Sequence, residues 1–166
     1  KMHTNKFRMR LATANDLDHM ARLVQGLADF ENEPDAVHVT KEHYRNDGFG
    51  DLPLFFCILL EDQGYPCGMG FCYLSRRHQS GRFLYLEDLF IEEKHRGNGA
   101  GGLVMRALAS IALSLNCSGM RWQALDWNTP ALTFYDKIGA RVIDGLVTAR
   151  FAGDELIRFA QTSPNA

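Results

Sequence analysis

Apolar residues at Phe7, Met9 and Leu11 alternate with Arg8 and Arg10, the period of a strand with one buried face. The period then changes. Leu17, Met20, Ala21, Val24, Leu27 and Ala28 recur at intervals of three and four. With Asn15-Asp16 ahead of them to cap it, this stripe predicts a helix running to Phe30. A second, shorter helix is predicted behind Thr40, containing His43 and Tyr44 and ended by Asp47-Gly48-Phe49-Gly50. Two apolar runs, Leu54 to Leu60 and Cys67 to Leu74, flank the turn-forming Glu61-Asp62-Gln63-Gly64-Tyr65-Pro66 and read as an antiparallel hairpin. Arg82 to Ile91 is a third strand of this group, with the acids Glu87-Asp88 in its middle. A carboxylate inside an apolar strand needs a reason to be there.

Downstream, the glycine-rich run Arg96 to Gly102 leads into a helix with the stripe Val104, Leu108, Ile111 and Leu115. A strand from Met120 to Asp126 follows, then a helix from Thr129 to Ile138 with Pro130 at its start. Short strands are predicted near Val142 and Phe151, and a last helix, capped by Asp154, through Leu156 and Phe159. No repeat, low-complexity tract or linker interrupts the pattern. The expected architecture is one domain over residues 1–166, of α/β (α+β) class, with a single mixed, mostly antiparallel sheet flanked by helices. Residues 1–6, polar and beginning Lys1-Met2, are expected to be disordered or a cloning remnant, with folding starting near Phe7.

Composition narrows the partners. A chain of 166 residues, 46% of them hydrophobic, can bury a real core. Its 18 basic and 20 acidic side chains leave a charge of -2, too little to gather nucleic acid or an anionic membrane, so a small-molecule partner is expected. No stretch approaches the roughly 20 apolar residues of a membrane span, and the polar beginning lacks a signal peptide's apolar region. Cys57, Cys67, Cys72 and Cys117 show no pairing or metal-ligand spacing. They read as reduced thiols of a cytoplasmic protein that holds no metal.

Glycines ahead of a helix let phosphate oxygens approach unpaired amides at the positive end of the helix dipole. Gly97, Gly99 and Gly102 fit the dinucleotide pattern G-x-G-x-x-G, but the preceding strand is not part of a repeated βαβ unit. The cations Lys94, His95 and Arg96 also crowd the first glycine. A nucleotide P-loop fails because no Gly-Lys-Ser/Thr closes the run. A loop that merely turns the chain stays open on the glycines alone.

The flanking residues carry a resemblance. Arg96-Gly97-Asn98-Gly99-Ala100-Gly101 resembles the R/Q-x-x-G-x-G/A acetyl-CoA signature of the GNAT N-acetyltransferases, and the order of elements is similar to theirs. Tyr85-Leu86-Glu87-Asp88-Leu89-Phe90-Ile91, Asp126-Trp127-Asn128, Phe134-Tyr135 and Gly139-Ala140 resemble the diamine (spermidine/spermine) and thialysine acetyltransferase branch. Leu27 to Glu31 and Asp47 to Gly50 are similar as well, so the likeness runs from about Phe7 to about Phe159.

The resemblance implies the GNAT fold and acetyl transfer from acetyl-CoA to a primary amine of a small molecule. It makes Glu87 the general base, acting through water, and Tyr135 the general acid that protonates the departing thiolate. A satisfied strand carboxylate and a packed tyrosine are the plainer readings of those two. Backbone groups of Leu89, Phe90 and Ile91 would pair with the pantetheine arm, and Arg96, Gly97, Asn98, Gly99, Ala100 and Gly101 would hold the diphosphate. Asn128, Thr129, Pro130 and Ala131 match the segment beside the pantetheine and acetyl end, although Asn128 also reads as a helix cap. Trp127 reads as packing. Phe30 and Glu31 match the acceptor-binding pair, with Glu31 attracting an ammonium. A homodimer is implied too.

The pattern departs from the polyamine enzymes in two places. The loop before the third strand reads Ser75-Arg76-Arg77-His78-Gln79, and Asp144-Gly145-Leu146-Val147-Thr148 stands where the animal diamine enzymes have Glu-Glu-Gly-Trp. Two arginines repel a polycation, so a smaller or carboxylate-bearing acceptor, such as a thialysine-like amino acid, is expected over spermidine. A protein or peptide N-acetyltransferase and a non-catalytic acyl-CoA-binding module are the alternatives, the second disfavoured by the presence of both Glu87 and Tyr135.

Overall fold

The computed structural model describes residues 6–162. The expectation for residues 1–6 therefore falls, for 1–5, outside the described residues; Lys6 is exposed and pairs with Asp62 at 2.5 Å. Two compact units divide the chain, Lys1–Leu125 and Asp126–Ala166.

The first unit contains one sheet of β1 (Phe7–Leu11), β2 (Phe56–Asp62), β3 (Tyr65–Arg77), β4 (Gly81–Ile91) and β5 (Gly119–Trp122), in that spatial order. Neighbours from β1 to β4 are antiparallel, and β4 pairs with β5 in parallel. The helices are α1 (Leu17–Phe30), α2 (Lys41–Phe49) and α3 (Ala100–Ser114). The mixed, mostly antiparallel sheet expected from the pattern is the one observed.

Local chemistry sets the details. The β2–β3 turn is tighter than the expected six-residue stretch: Gln63 (φ 50°) and Gly64 (φ 83°) alone make it, both left-handed as a two-residue hairpin requires. In β2, Cys57 and Leu59 face one side and Ile58 and Leu60 the other, and all four are buried. That continuous run marks a strand covered on both faces.

On one face, α1 and α2 pack Leu17, Met20, Leu23 and Tyr44 against Cys57, Leu59, Met69, Phe71 and Phe90. Leu23, fully buried, widens the stripe that spacing suggested. On the other face, a Cβ on Gly70 would stand 3.5 Å from Leu108 and 3.6 Å from Val104, so α3 lies directly on the sheet there. All four cysteines are buried and unpaired, and burial pushes the Cys72 thiol up to about 12.

Thr13 and Asp16 form a reciprocal capping box at the start of the helical segment, so the capping chemistry lies partly upstream of the expected Asn15-Asp16. β5, expected to reach Asp126, ends at Trp122. The cause lies in β4. Phe71 pairs with Asp88 and Cys72 with Leu86, which leaves Glu87 as the extra residue of a β-bulge. Pairing with β5 stops immediately before it, at Leu86 with Trp122.

The second unit contains α4 (Thr129–Lys137) and α5 (Asp154–Gln161). The strands expected near Val142 and Phe151 are not formed; both residues lie in irregular chain, 68% and 56% exposed. A strand needs a neighbouring backbone to satisfy its amides and carbonyls, and nothing within this unit provides one. Gly153, with φ 53°, caps α5 in place of the expected Asp154, which is its first helical residue. Trp127, expected to pack, is 53% exposed. Among the described residues no helix is long and apolar enough to cross a membrane.

Candidate active site

The bulge at Glu87 changes what β4 offers on each side. Along one edge, β4 stays paired with β3 as far as Gly68 with Ile91. Along the other, only Phe83 to Leu86 are paired with β5. Leu89, Phe90 and Ile91 therefore present an edge that no strand covers among the described residues, able to hydrogen-bond an extended amide-bearing arm. Leu89 is half-buried; the Phe90 and Ile91 side chains are in the core, so only their backbone could serve a ligand.

The two acids differ. Glu87 is exposed, and the Tyr73 hydroxyl is close enough for Glu87, after burial, to push its pKa up from the usual phenol range. Tyr73 and Tyr85 stack with ring centres 5.0 Å apart. Asp88 turns toward α1, where it lines a cleft of about 160 Å³ with Glu31, Glu33, Val24, Leu27 and Val37. Burial, then Glu87 and Glu31, push the Asp88 carboxyl up to about 6. Burial, then Glu33, raise Glu31 as well. Clustered acids beside apolar walls, without a cation among the cleft's lining residues, suit an ammonium group on a short carbon chain.

Of the expected acceptor pair, Glu31 lines this cleft with Asp88, and Phe30 does not. The Phe30 ring instead lies under the Arg96 guanidinium, 4.9 Å from its centre. Asp88 was visible in sequence only as Glu87's neighbour; the apolar wall beside it comes from α1, and Glu31 and Glu33 from the chain just after α1, more than fifty residues away.

Past β4 the chain enters the glycine loop. Gly97 (φ 78°) and Gly99 (φ 76°) are left-handed, and a Cβ on either would meet nothing within 4 Å. Conformation requires glycine here and leaves the surroundings open to a ligand. Gly99 caps α3 without a side-chain hydrogen bond, and no acid occupies the first turn. The leading amides are thus available to an anion. Asn98 is exposed, Gly101 half-buried, and the Ala100 side chain is in the core. The Arg106 guanidinium, one turn on, lies 3.3 Å from where a Gly102 Cβ would stand, a cation that i,i+4 spacing could have flagged.

The loop is tied down at its start. His95 is buried between Asp62, 3.3 Å from its Nδ1, and Glu92, 3.9 Å from its Nε2. Arg22 of α1 pairs with Glu92 and donates to the Pro66 carbonyl at 2.6 Å. Arg96 Nε donates to the Ile91 carbonyl at 2.7 Å. The cations that crowd the first glycine in sequence are thus in part anchors, and Arg96 is held by protein groups.

In the second unit, Asn128 caps α4, its side chain accepting from the Ala131 N–H at 3.3 Å, with Thr129 and Pro130 opening the helix. Tyr135 is half-buried within α4, its ring 5.5 Å from that of Phe134. Burial raises its phenol above the usual range, so the hydroxyl holds its proton.

Comparison with known proteins identifies the family. The model of the acetyltransferase (GNAT) family matches residues 20–140. A thialysine N-epsilon-acetyltransferase of Bos taurus is 34% identical over 164 residues, covering 92% of this chain and 96% of that protein. A spermidine/spermine N(1)-acetyltransferase-like protein of Homo sapiens is also 34% identical, over 93% of this chain but 24% of its own length. Among solved structures, an integron cassette protein from the mobile metagenome of V. cholerae superposes with a TM-score of 0.78 over 95% of this chain and 99% of its own, at 23% identity, a likeness of fold. An acid-bearing bulge, an uncovered strand edge and an uncapped glycine-led helix stand in sequence on one chain segment, and with the family match across most of the chain they make it a member of the acetyltransferase (GNAT) family.

Proposed function

We propose that this acetyltransferase moves the acetyl group of acetyl-CoA directly onto a primary amine of a small molecule, a thialysine-like amino acid or a diamine. The bulge at Glu87 carries the reading. It stops the pairing of β5, which frees the edge of Leu89, Phe90 and Ile91 for the pantetheine arm, and it turns Asp88 into the acidic cleft with the exposed Glu87 beside it in the chain. The diphosphate is held by the amides of Gly97 to Gly101, with Arg96 shaping the loop and Asn98 and Ala100 lending backbone groups. Asn128, Thr129, Pro130 and Ala131 serve the acetyl end.

An alkylamine titrates near ~10, so it arrives protonated at neutral pH and must lose a proton before it can attack. Glu87 accepts that proton through water. Asp88 and Glu31 draw the ammonium in, with Phe30 bracing the loop through Arg96. As the nitrogen bonds to the carbonyl carbon, the carbon–sulfur bond breaks, the Tyr135 hydroxyl gives its proton to the leaving thiolate, and the extra proton left on the acylated nitrogen is released and restores the phenol. A thiol near ~8.5 is a less basic acceptor than the phenolate it leaves, but the mismatch is small enough for rapid transfer.

Both units work as one acetyltransferase domain, a reading supported by the family match across them. The enzyme acts in the cytoplasm, where four unpaired thiols stay reduced. It forms a homodimer, for which the exposed apolar Val142, Ile143, Leu146 and Val147 offer surface; gel filtration checks this.

The test is release of coenzyme A thiol from acetyl-CoA across lysine, thialysine, ornithine, short diamines, spermidine and a basic peptide, with Tyr135→Phe alongside. Amine-dependent release by small acceptors, reduced about a hundredfold in the variant, is expected. Preference for the peptide, or silence despite acetyl-CoA binding, would overturn the reading.

A further inference from the structure

Resting on that reading, the arginines on the sheet separate the two acceptor classes it leaves together. Several guanidiniums in the first unit are engaged by protein, and Arg8, Arg76, Arg77 and Arg106 are exposed to solvent. Arg10 bridges Asp16 and Glu61, Arg22 pairs with Glu92, Arg82 donates to the Leu115 carbonyl and Arg96 to that of Ile91. Arg121 differs. It sits on β5, half-buried, and among the described residues no hydrogen bond or ion pair engages its guanidinium.

Register fixes which way it faces. Arg121 is in register with Tyr85, which is in register with Tyr73, so all three project from one face of the sheet. That is the face on which Asp88 meets the α1 cleft. Arg121 is also close enough to Tyr85 to oppose the rise that burial gives its phenol. Glu87 lies two residues beyond Tyr85 on β4, just past the last pair that β4 makes with β5, and so follows Arg121's partner on the adjoining strand.

An unengaged arginine beside a site for cations is unfavourable for a diamine, whose second ammonium it repels. It suits a substrate with an anion at one end and an amine at the other, since a guanidinium binds a carboxylate through paired hydrogen bonds. Arg77 shares the face by register but lies far out on the exposed end of β3.

We propose that Arg121 binds the carboxylate of the acceptor, so that the enzyme acts on basic amino acids in preference to diamines of the same length. Its role is specificity: it holds the far end of the acceptor while the reacting nitrogen lies at Glu87.

Kinetics with matched pairs test this, using lysine against cadaverine and ornithine against putrescine, in the wild type, Arg121→Gln and Arg121→Lys. The ratio of kcat/KM for amino acid over diamine should fall about tenfold in Arg121→Gln, through KM of the amino acid, with Arg121→Lys keeping part of the preference. Lysine methyl ester provides a check that needs no altered protein. In the wild type it should be about tenfold poorer than lysine, and in Arg121→Gln the two should be alike. An ester as good as lysine in the wild type, or a ratio unchanged by Arg121→Gln, overturns the assignment while acetyl transfer stands. If the wild type acetylates no member of either pair, the proposed function falls and this inference with it.

Discussion

Asp16 and Asp88 are both aspartates drawn into the first unit, and the protein treats them in opposite ways. Asp16 receives two hydrogen bonds from the Arg10 guanidinium, each 2.8 Å, and two more from the Thr13 amide and hydroxyl. Those partners, Arg10 first, hold its carboxyl well below the usual range. Asp88 faces Glu31 and Glu87 instead, and burial with those acids raises it to about 6. A satisfied carboxylate ties β1 to the start of α1 and has no capacity left for a ligand. An unsatisfied one destabilises the fold and is retained where something else will bind to it.

Breaking the satisfied side should have the largest effect. Asp16→Ala leaves the Arg10 fork and the Thr13 amide without their partner and should lower unfolding free energy by about 3 kcal/mol in a denaturant titration, with amine KM unchanged in the folded fraction. A variant as stable as the wild type would mean that the pair is ornamental. Next comes the exposed member of the unsatisfied side. Glu87→Gln should reduce kcat by about a hundredfold with little loss of stability, measured by thiol release at saturating acetyl-CoA. An equal fall in stability would place Glu87 in the same class as Asp16.

The third test uses pH. Because the folded carboxyl of Asp88 sits above its unfolded value of 3.8, the folded state holds the proton more tightly. The group costs nothing at pH below 3.8; its penalty grows as pH rises toward 6 and is constant above it. Asp88→Asn should therefore gain stability on the order of 2 kcal/mol at pH 8 and almost none at pH 3.5, while its acceptor KM rises. A gain independent of pH would show that charge is not the cause.

Much of the fold was legible along the chain. The stripe from Leu17 to Ala28 and the alternation in β1 mark their elements because a side chain's neighbours there are set by local period alone. The strands misread near Val142 and Phe151 have the right residues, but a strand exists only with a partner, and partnership is not local. The same reason shortened β5. Nothing in Met120 to Asp126 announces an early end, since the cause is a bulge on the neighbouring strand.

The candidate site divides along the same line. That a glycine loop turns into α3 could be read directly, because left-handed backbone at Gly97 and Gly99 is a property of the residue itself, while a diphosphate role for Arg96 to Gly101 came from resemblance. Glu87 and Tyr135 came from resemblance, and Asp88 with its raised carboxyl from neither. His95 looked like one of three cations before the loop, yet it is buried between Asp62 and Glu92. Arg121 is set beside Tyr85 by register alone.

By itself, then, the sequence determined which segments could be helix or strand, where glycine had to stand and which family the chain resembles, all matters of local period, backbone freedom and motif. Tertiary structure decided which acids are paired and which are left facing one another, and where a strand edge is uncovered. Those depend on which distant side chains are brought within a few ångströms, and a carboxyl's proton affinity is set by its neighbours in space rather than by its neighbours in the chain.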